Sequence, residues 1–156
     1  MSPAQPPLYR SSGQRGYVSS IANDPHRISA RKLEREVRVE FTPLACLVHT
    51  PEGIVHARPG DAILTGLAGE RWRVSHERFA EKYRPVPPTR PGESGTYVAL
   101  PHRILAVPMS EPFHVLLADG ESLITGKAGD YLVDYGDGSL GIVSRAIFAV
   151  TYQTLD

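Results

Sequence analysis

Cysteine is almost absent from the sequence, since Cys46 is the only one in 156 residues. A single thiol cannot form a disulfide within the chain, which excludes the disulfide frameworks of small secreted proteins. The first residues also lack the apolar core of a secretory signal. We therefore expect the protein in the reducing cytoplasm.

Long hydrophobic runs and an excess of one charge are also missing. The longest apolar runs, residues 44–48 and 113–118, fall far short of the ~20 residues that a membrane-spanning helix needs. The 17 basic residues balance 17 acidic ones, so no bulk field attracts polyanions or membranes from a distance. We therefore expect no membrane partner, and nucleic acid is not favoured as one.

Glycine and proline are abundant, with 14 of each. Together with a hydrophobic share of 41% and a charged share of 22%, they indicate a globular chain with many turns and short strands. Apolar and polar residues alternate over residues 37–41, which is a strand signal. We predict an α+β fold that is mainly β.

The sequence repeats itself. Residues 43–86 align with residues 112–155 without a gap, and the identities fall on turn, cap and core positions. The identical pairs include Gly60 and Asp61 with Gly129 and Asp130, Ser75 with Ser144, Phe79 with Phe148, and Tyr83 with Tyr152. In this alignment Val115, Ala118 and Thr125 take the places of Cys46, His49 and His56.

Each copy is predicted to contain the same elements. In copy one, apolar runs on both sides of Thr50-Pro51-Glu52-Gly53 predict a β-hairpin, and Pro59-Gly60-Asp61 predicts a turn before the next strand. A helix from His76 to about Lys82 follows, capped by the hydroxyl of Ser75. We predict two tandem small β-sheet or barrel-like modules, each ending in a short helix and related by a pseudo-twofold axis.

Composition gives the expected domain boundaries. Residues 1–30 mix Pro, Ser, Gln, Gly and Arg without periodicity and predict a flexible tail. Residues 31–86 form a first β-rich module, the proline- and glycine-rich residues 87–96 form a linker, and residues 97–156 form a second β-rich module. A module of this size is marginally stable alone, so we expect the two to pack together.

Two segments carry a family resemblance. Pro59-Gly60-Asp61 and Ala128-Gly129-Asp130-Tyr131-Leu132 are each followed by a glycine turn, a strand and a spaced Phe and Tyr. They resemble the short PGDYG family, which occurs in small bacterial and phage-encoded proteins and has no established activity. Both copies depart from the motif, because Ala62 stands in the aromatic position and Ala128 replaces proline. The resemblance implies a fold and leaves the chemistry open.

Catalytic and metal-binding motifs are missing. The sequence has no Cys-x-x-Cys, His-Glu-x-x-His, EF-hand loop or Walker loop, and we expect neither a cofactor nor a metal. His49 and His56 are expected opposite each other across the hairpin, where two imidazoles could share a metal, although surface roles are favoured. Cys46 lies in an apolar strand and is expected to be a buried structural thiol rather than a nucleophile.

Asp61 and Asp130 repeat between the copies and allow two interpretations. Two carboxylates near an interface could act as acid and base. An aspartate after glycine also stabilises a tight turn by accepting hydrogen bonds from nearby backbone amides, and we favour this structural role.

Arginine and aromatic side chains supply the candidate binding residues. They are Arg71, Trp72, Arg73 and Arg78 in copy one and Tyr131 and Tyr135 in copy two. These residue types dominate binding hot spots.

We predict a non-catalytic binding or assembly module that acts on another protein, with a homo-oligomer as an alternative. A second hypothesis is a small enzyme with its active site at the inter-module interface, using Cys46, His49, His56, Asp61 or Asp130. A third and weaker one is nucleic-acid or nucleotide binding through the arginine-rich first module and the tail, which predicts that affinity falls steeply with salt.

Overall fold

The computed structural model of the chain describes residues 5–14 and 19–155. Its strands are β1 (Leu8–Arg10), β2 (Ile28–Lys32), β3 (Glu36–Phe41), β4 (Cys46–Thr50), β5 (Gly53–Ala57), β6 (Ala62–Thr65), β7 (Arg71–Val74), β8 (Tyr83–Pro85), β9 (Gly95–Ala99), β10 (Arg103–Pro108), β11 (Phe113–Leu116), β12 (Leu123–Gly126), β13 (Tyr131–Asp134), β14 (Leu140–Val143) and β15 (Tyr152–Leu155). Its helices are a 3-10 helix (Ser20–Asn23), α1 (His76–Lys82) and α2 (Arg145–Thr151). The described chain is mainly β, as predicted. Within it, no helix has the length and apolar character needed to cross a membrane.

The described chain divides into two compact units. One, which we call the inserted unit, is the continuous stretch Lys32–His102. The other, the split unit, combines the described residues up to Arg31 with those from Arg103 onward. The second unit is therefore built from two separate parts of the chain.

The inserted unit contains an open five-stranded sheet with the order β7-β6-β3-β9-β8. β3 lies in the middle and pairs antiparallel with β6 and β9. Its apolar and polar residues alternate as predicted, so that Val37 and Val39 are buried. They pack with Leu64, Tyr97 and Phe79, the last of which holds α1 on the sheet. A two-stranded hairpin, β4-β5, belongs to the same unit.

The split unit also contains an open five-stranded sheet, with the order β14-β13-β10-β2-β15. β10 pairs antiparallel with β13 on one side and with β2 on the other. Ala30, Ile104 and Val133 form its core with Phe148 of α2. A second sheet has the order β1-β11-β12, and β1 runs parallel to β11.

In two places, strands that are neighbours in the chain belong to different sheets. β2 directly precedes β3 in the chain but pairs with β10. β9 directly precedes β10 but pairs with β3. The unit boundaries therefore differ from the expected modules, because the expected tail (residues 1–30) supplies β1 and most of β2, and the expected linker (residues 87–96) supplies the start of β9. Residues 1–4 and 15–18 of that tail lie outside the described residues.

Details of the predicted module are partly confirmed. The helix predicted from His76 to about Lys82 is present with those bounds. A further strand, β8 or β15, follows each helix, so the modules do not end in a helix. Sheets with free edges replace the barrel-like alternative in the described chain. Ser75 makes no side-chain cap bond, whereas Ser144 does cap α2. At the start of α1, the His76 amide donates to Asp61 Oδ1 at 3.1 Å.

Candidate functional site

The β4-β5 hairpin of the inserted unit has one buried and one exposed face. On the buried face, Val48 and Val55 lie opposite each other. The exposed face presents four residues, which we call the hairpin face: Leu47, His49, Ile54 and His56. Its leucine and isoleucine leave 55% and 46% of their surface accessible to solvent. Such a pattern follows from the period of two in a strand, because neighbouring side chains point to opposite faces.

The two histidines share the hairpin face but are not opposite each other, so the expected pairing is wrong. His49 lies across from Ile54, and His56 lies across from Leu47. The two histidines are therefore diagonal neighbours, and the Cα atoms of such residues are about 7–8 Å apart. Among the described residues, no group of three or more His, Cys, Asp or Glu side chains converges in a way that could hold a metal ion.

Cys46 is exposed, so the prediction of a buried structural thiol is wrong. It is the first residue of β4, and a cleft of about 330 Å³ opens beside it at this end of the hairpin. The residues that line this Cys46 cleft together with it are Glu40, Phe41, Thr42, Pro43, Ile63, Arg71 and Ser94. The thiol Sγ lies 3.7 Å from Oγ1 of Thr42.

Because Cys46 is exposed, it should react with a small thiol reagent in the folded protein. We expect its alkylation rate in the native state to lie within about tenfold of the rate in urea, since burial is what makes a structural thiol inert. Timed quenching followed by mass spectrometry measures both rates on the single cysteine. Native protein that remains unmodified while the unfolded protein reacts fully would contradict this expectation.

Asp61 is buried, and its carboxylate is fully engaged in the inserted unit. Oδ2 accepts the amide of Arg58 at 2.9 Å and the guanidinium Nη1 of Arg73 at 3.3 Å, while Oδ1 accepts the amide of His76. The carboxylate therefore closes the turn before β6 and caps α1. This arrangement agrees with the structural interpretation.

Asp130 has a similar but smaller set of bonds in the split unit. It is also buried, and its Oδ2 accepts the amide of Lys127 at 3.0 Å. Ile142 stands in β14 where Arg73 stands in β7. Asp130 therefore shares the turn bond of Asp61 without an arginine on that strand.

The aromatic binding candidates pack into their own units. Trp72 is half-buried against the core of the inserted unit. Tyr131 stacks on Phe148 with ring centroids 3.9 Å apart, and Tyr135 packs against the same core in the split unit. These rings contribute to stability, which reduces the surface that they offer to a partner.

The arginine candidates differ in exposure. Arg73 is held by Asp61, and Arg78 is half-buried on α1. Arg71 is exposed and lines the Cys46 cleft. Of the sequence-predicted residues, the structure thus brings Arg71 and Cys46 to one place, with the hairpin face next to them on β4 and β5.

The hairpins of the two units differ at their outer edges. In the split unit, β1 covers the edge of β11: the His114 amide donates to the Pro7 carbonyl, and the Ser11 amide donates to the Leu116 carbonyl, each at 2.9 Å. In the inserted unit, β4 pairs with β5, and no described strand pairs with its other edge. β4 instead lies beside β7 of the same unit without forming a ladder with it.

The exposed leucines were not predicted from the sequence. Leu44 and Leu47 leave 72% and 55% of their surface exposed, although the run from Leu44 to His49 is nearly continuous in apolar residues and indicates a buried strand. One signal was available. His49 and His56 directly follow Val48 and Val55, so the histidines and the valines point to opposite faces. The face that the histidines share with Leu47 is therefore the solvent side.

These features define a small, mainly β protein with open sheets and an exposed hairpin. The chain belongs to the PGDYG protein family, whose family model matches residues 53–153. The resemblance seen in the two Gly-Asp segments is thereby confirmed, and the match runs from β5 into β15 as one span. No curated protein and no solved structure matches the chain.

Proposed function

We propose that the protein is a non-catalytic binding or assembly module that acts through protein–protein contacts, with the β4-β5 hairpin as its contact surface. The observation that carries this proposal is the pair of exposed apolar side chains, Leu47 and Ile54, on one face of the hairpin. Single exposed leucines are ordinary. Leu47 and Ile54 are diagonal neighbours on one face, so a partner can cover both at once.

The energy available at this face is sufficient to matter. Burying a Leu or Ile side chain fully is worth about 1.5–3 kcal/mol relative to leaving it exposed. Both residues are already about half covered, so the pair can contribute roughly 1.5–3 kcal/mol on binding. That corresponds to about a 10- to 150-fold gain in affinity.

Leu47→Glu should weaken partner binding about tenfold or more, because a carboxylate would be buried in an apolar contact. Folding should be unaffected, since Leu47 is exposed. The partner is first identified by crosslinking in the source organism, and its affinity for purified wild type and variant is then measured by calorimetry. Leu67→Glu is the matched control, since Leu67 is 81% exposed in the same unit but lies outside the hairpin. Equal affinities of all three proteins would contradict the proposal.

We further propose that the chain arose by duplication of one module. Such an origin predicts two copies related by a pseudo-twofold axis. Equivalent backbone bonds support this. The Thr42 carbonyl accepts the Gly60 amide at 2.7 Å, and the Thr42 amide donates to the Asp61 carbonyl at 3.0 Å. Met109 likewise accepts from the amide of Gly129 at 2.7 Å and donates to the carbonyl of Asp130 at 2.9 Å.

Under the proposed duplication, the hairpin registers require one change to the gapless sequence alignment. Cys46 lies across from Ala57, and Phe113 lies across from Gly126. The gapless alignment matches Ala57 with Gly126 but matches Cys46 with Val115, so it is wrong along β4. A gap belongs in the hairpin turn, and on the sheet register Phe113 takes the place of Cys46.

A further inference from the structure

We propose that the split unit has a second binding site, a groove for an extended segment of a partner protein, which the chain's own residues 5–14 fill in the free protein. We call these residues the strap. The groove consists of the edge of β11 and the residues that lead into β14. This inference goes beyond the proposed function, since it involves neither the β4-β5 hairpin nor its exposed face.

The strap is bound through backbone groups of the groove. Two of the bonds, described above, join it to the edge of β11 in parallel orientation. Further along the strap, the Gly13 amide donates to the Gly138 carbonyl at 2.8 Å. Because these bonds use main-chain atoms, an extended peptide of another protein can form them in the same way.

Two side chains of the strap make specific contacts with the groove. The Tyr9 ring packs edge-on against the fully buried ring of Phe113, with centroids 6.4 Å apart. The Ser11 hydroxyl is buried and accepts the Leu140 amide at 2.9 Å. An aromatic residue followed two positions later by serine is therefore what the groove recognises.

The strap lies so close to the groove that a glycine is needed on each side. Gly13 has a φ of +72°, and a Cβ added to it would meet the Cβ of Ala118 at 2.8 Å. On the groove side, a Cβ added to Gly138 would collide with the backbone of Gln14. Gly136 has a similar positive φ, +79°, but an added Cβ meets nothing there within 4 Å. The full pattern that the groove selects is thus aromatic-x-Ser-x-Gly.

The strap is held weakly enough to be displaced. Among residues 5–14, Ser11 alone is buried, whereas Leu8 and Arg10 of β1 are exposed. β1 has three residues and lies at the edge of its sheet. A chain end held in this way opens at low cost, since water replaces the lost backbone bonds. A peptide in trans competes with the strap, so its apparent affinity is reduced by the fraction of molecules whose groove is open.

A partner protein suits this groove better than the strap of a second copy. In the same unit, the Ser19 hydroxyl donates to Oδ2 of the buried Asp134 at 2.6 Å. The five residue steps from Gln14 to Ser19 span at most about 18 Å. An exchanged strap would therefore reach only a unit placed directly beside its own. A segment of another protein has no such tether.

The test uses the full-length protein and a labelled synthetic peptide with the sequence of residues 5–14. Binding is measured by fluorescence anisotropy up to about 1 mM protein. Gly13→Val in the protein should open the strap and leave the groove intact, because a β-branched residue is strongly disfavoured at a positive φ. We expect this variant to bind the peptide at least about fivefold more tightly than the wild type does. Equal affinities, or no binding to either protein, would overturn the proposal.

Gly138→Ala tests whether the peptide enters the groove itself. Added to the Gly13→Val protein, it should weaken peptide binding at least about tenfold, since its Cβ collides with the bound backbone. Gly136→Ala is the matched control, because it has the same backbone strain without the collision. Circular dichroism checks that each variant is folded. Equal affinities of the two variants would place the peptide elsewhere and refute the groove.

Altered peptides test the same site without a groove variant that might fail to fold. A peptide carrying Gly13→Val should bind the Gly13→Val protein at least about tenfold more weakly than the unaltered peptide, because its side chain would meet Ala118. A peptide carrying Arg10→Ala is the control, since Arg10 is exposed. The proposal is wrong if all three peptides bind alike.

Sedimentation velocity distinguishes the two possible occupants. Wild-type protein that stays monomeric at the concentrations where the peptide binds supports a partner segment. A dimer that forms with rising concentration and dissociates when the peptide is added would make a second copy the occupant, and would overturn the assignment to a partner protein. The Leu47→Glu result decides the hairpin proposal separately.

Discussion

Cutting the chain between β8 and β9 is expected to leave the two halves bound to each other in a native fold. A protease site inserted after Gly92 would lie in an exposed segment, residues 91–94, where an added side chain meets no other atom within 4 Å of Gly92. The cut separates β2 and β3 from β9 and β10. Because β2 pairs with β10 and β9 pairs with β3, each half retains a strand in a sheet built mostly by the other.

Size-exclusion chromatography and circular dichroism measure this result. The cut protein should elute as one species that contains both fragments and retains the native spectrum. Its midpoint of thermal unfolding should rise with protein concentration, while that of the uncut insertion variant should not, since only the cut form unfolds into two molecules. Fragments that separate into two folded species would contradict this expectation. They would show that the chain consists of two independent modules, residues 31–86 and 97–156, as its composition predicted.

The elements with strong local signals were predicted from the sequence. The hairpin turn at Thr50 to Gly53 and the Gly-Asp turn at Gly60 follow from the backbone preferences of proline and glycine. α1 follows from its acidic first turn and the spacing of Phe79 and Tyr83, whose rings stack at 5.0 Å. In each case the residues that decide the conformation are neighbours in the sequence.

The pairing of β2 with β10 and of β9 with β3 could not be predicted in the same way. The residues of β2 would suit either sheet, because a half-buried strand needs apolar side chains on one face and its backbone bonds are the same with any partner. The choice between β3 and β10 depends on contacts between residues far apart in the chain. Expecting a tail and a linker was the natural consequence of reading each segment alone.

The candidate site was predicted only in part for a related reason. Cys46 and Arg71 were recognised by residue type, but their meeting at one cleft depends on how β4 and β7 are placed in the inserted unit. Cys46 lies across from Ala57 in one hairpin, and Phe113 lies across from Gly126 in the other. The first strand of one hairpin therefore begins with an exposed thiol and that of the other with a fully buried ring.

Asp61→Ala is expected to destabilise the protein by about 3–5 kcal/mol, which is the usual cost of removing one partner of a buried ion pair. The variant leaves the amides of Arg58 and His76 and the guanidinium of Arg73 without their acceptor. Asp61 and Arg73 expose only 2% and 17% of their side chains, so water compensates for little of the loss.

Asp130→Ala provides the matched comparison, because Asp130 is buried and accepts the amide of Lys127. For the loss of that acceptor we expect a smaller cost, about 1–3 kcal/mol. Urea unfolding of both variants, and of Asp61→Asn as a milder change, measures the free energies. Near-zero cost at Asp61 with the fold intact would show that its carboxylate is not needed for the turn and the helix cap. A catalytic role would then become the better explanation if the same variant abolished a detected activity, whereas a large cost at Asp61 assigns the carboxylate to the scaffold that carries the hairpin.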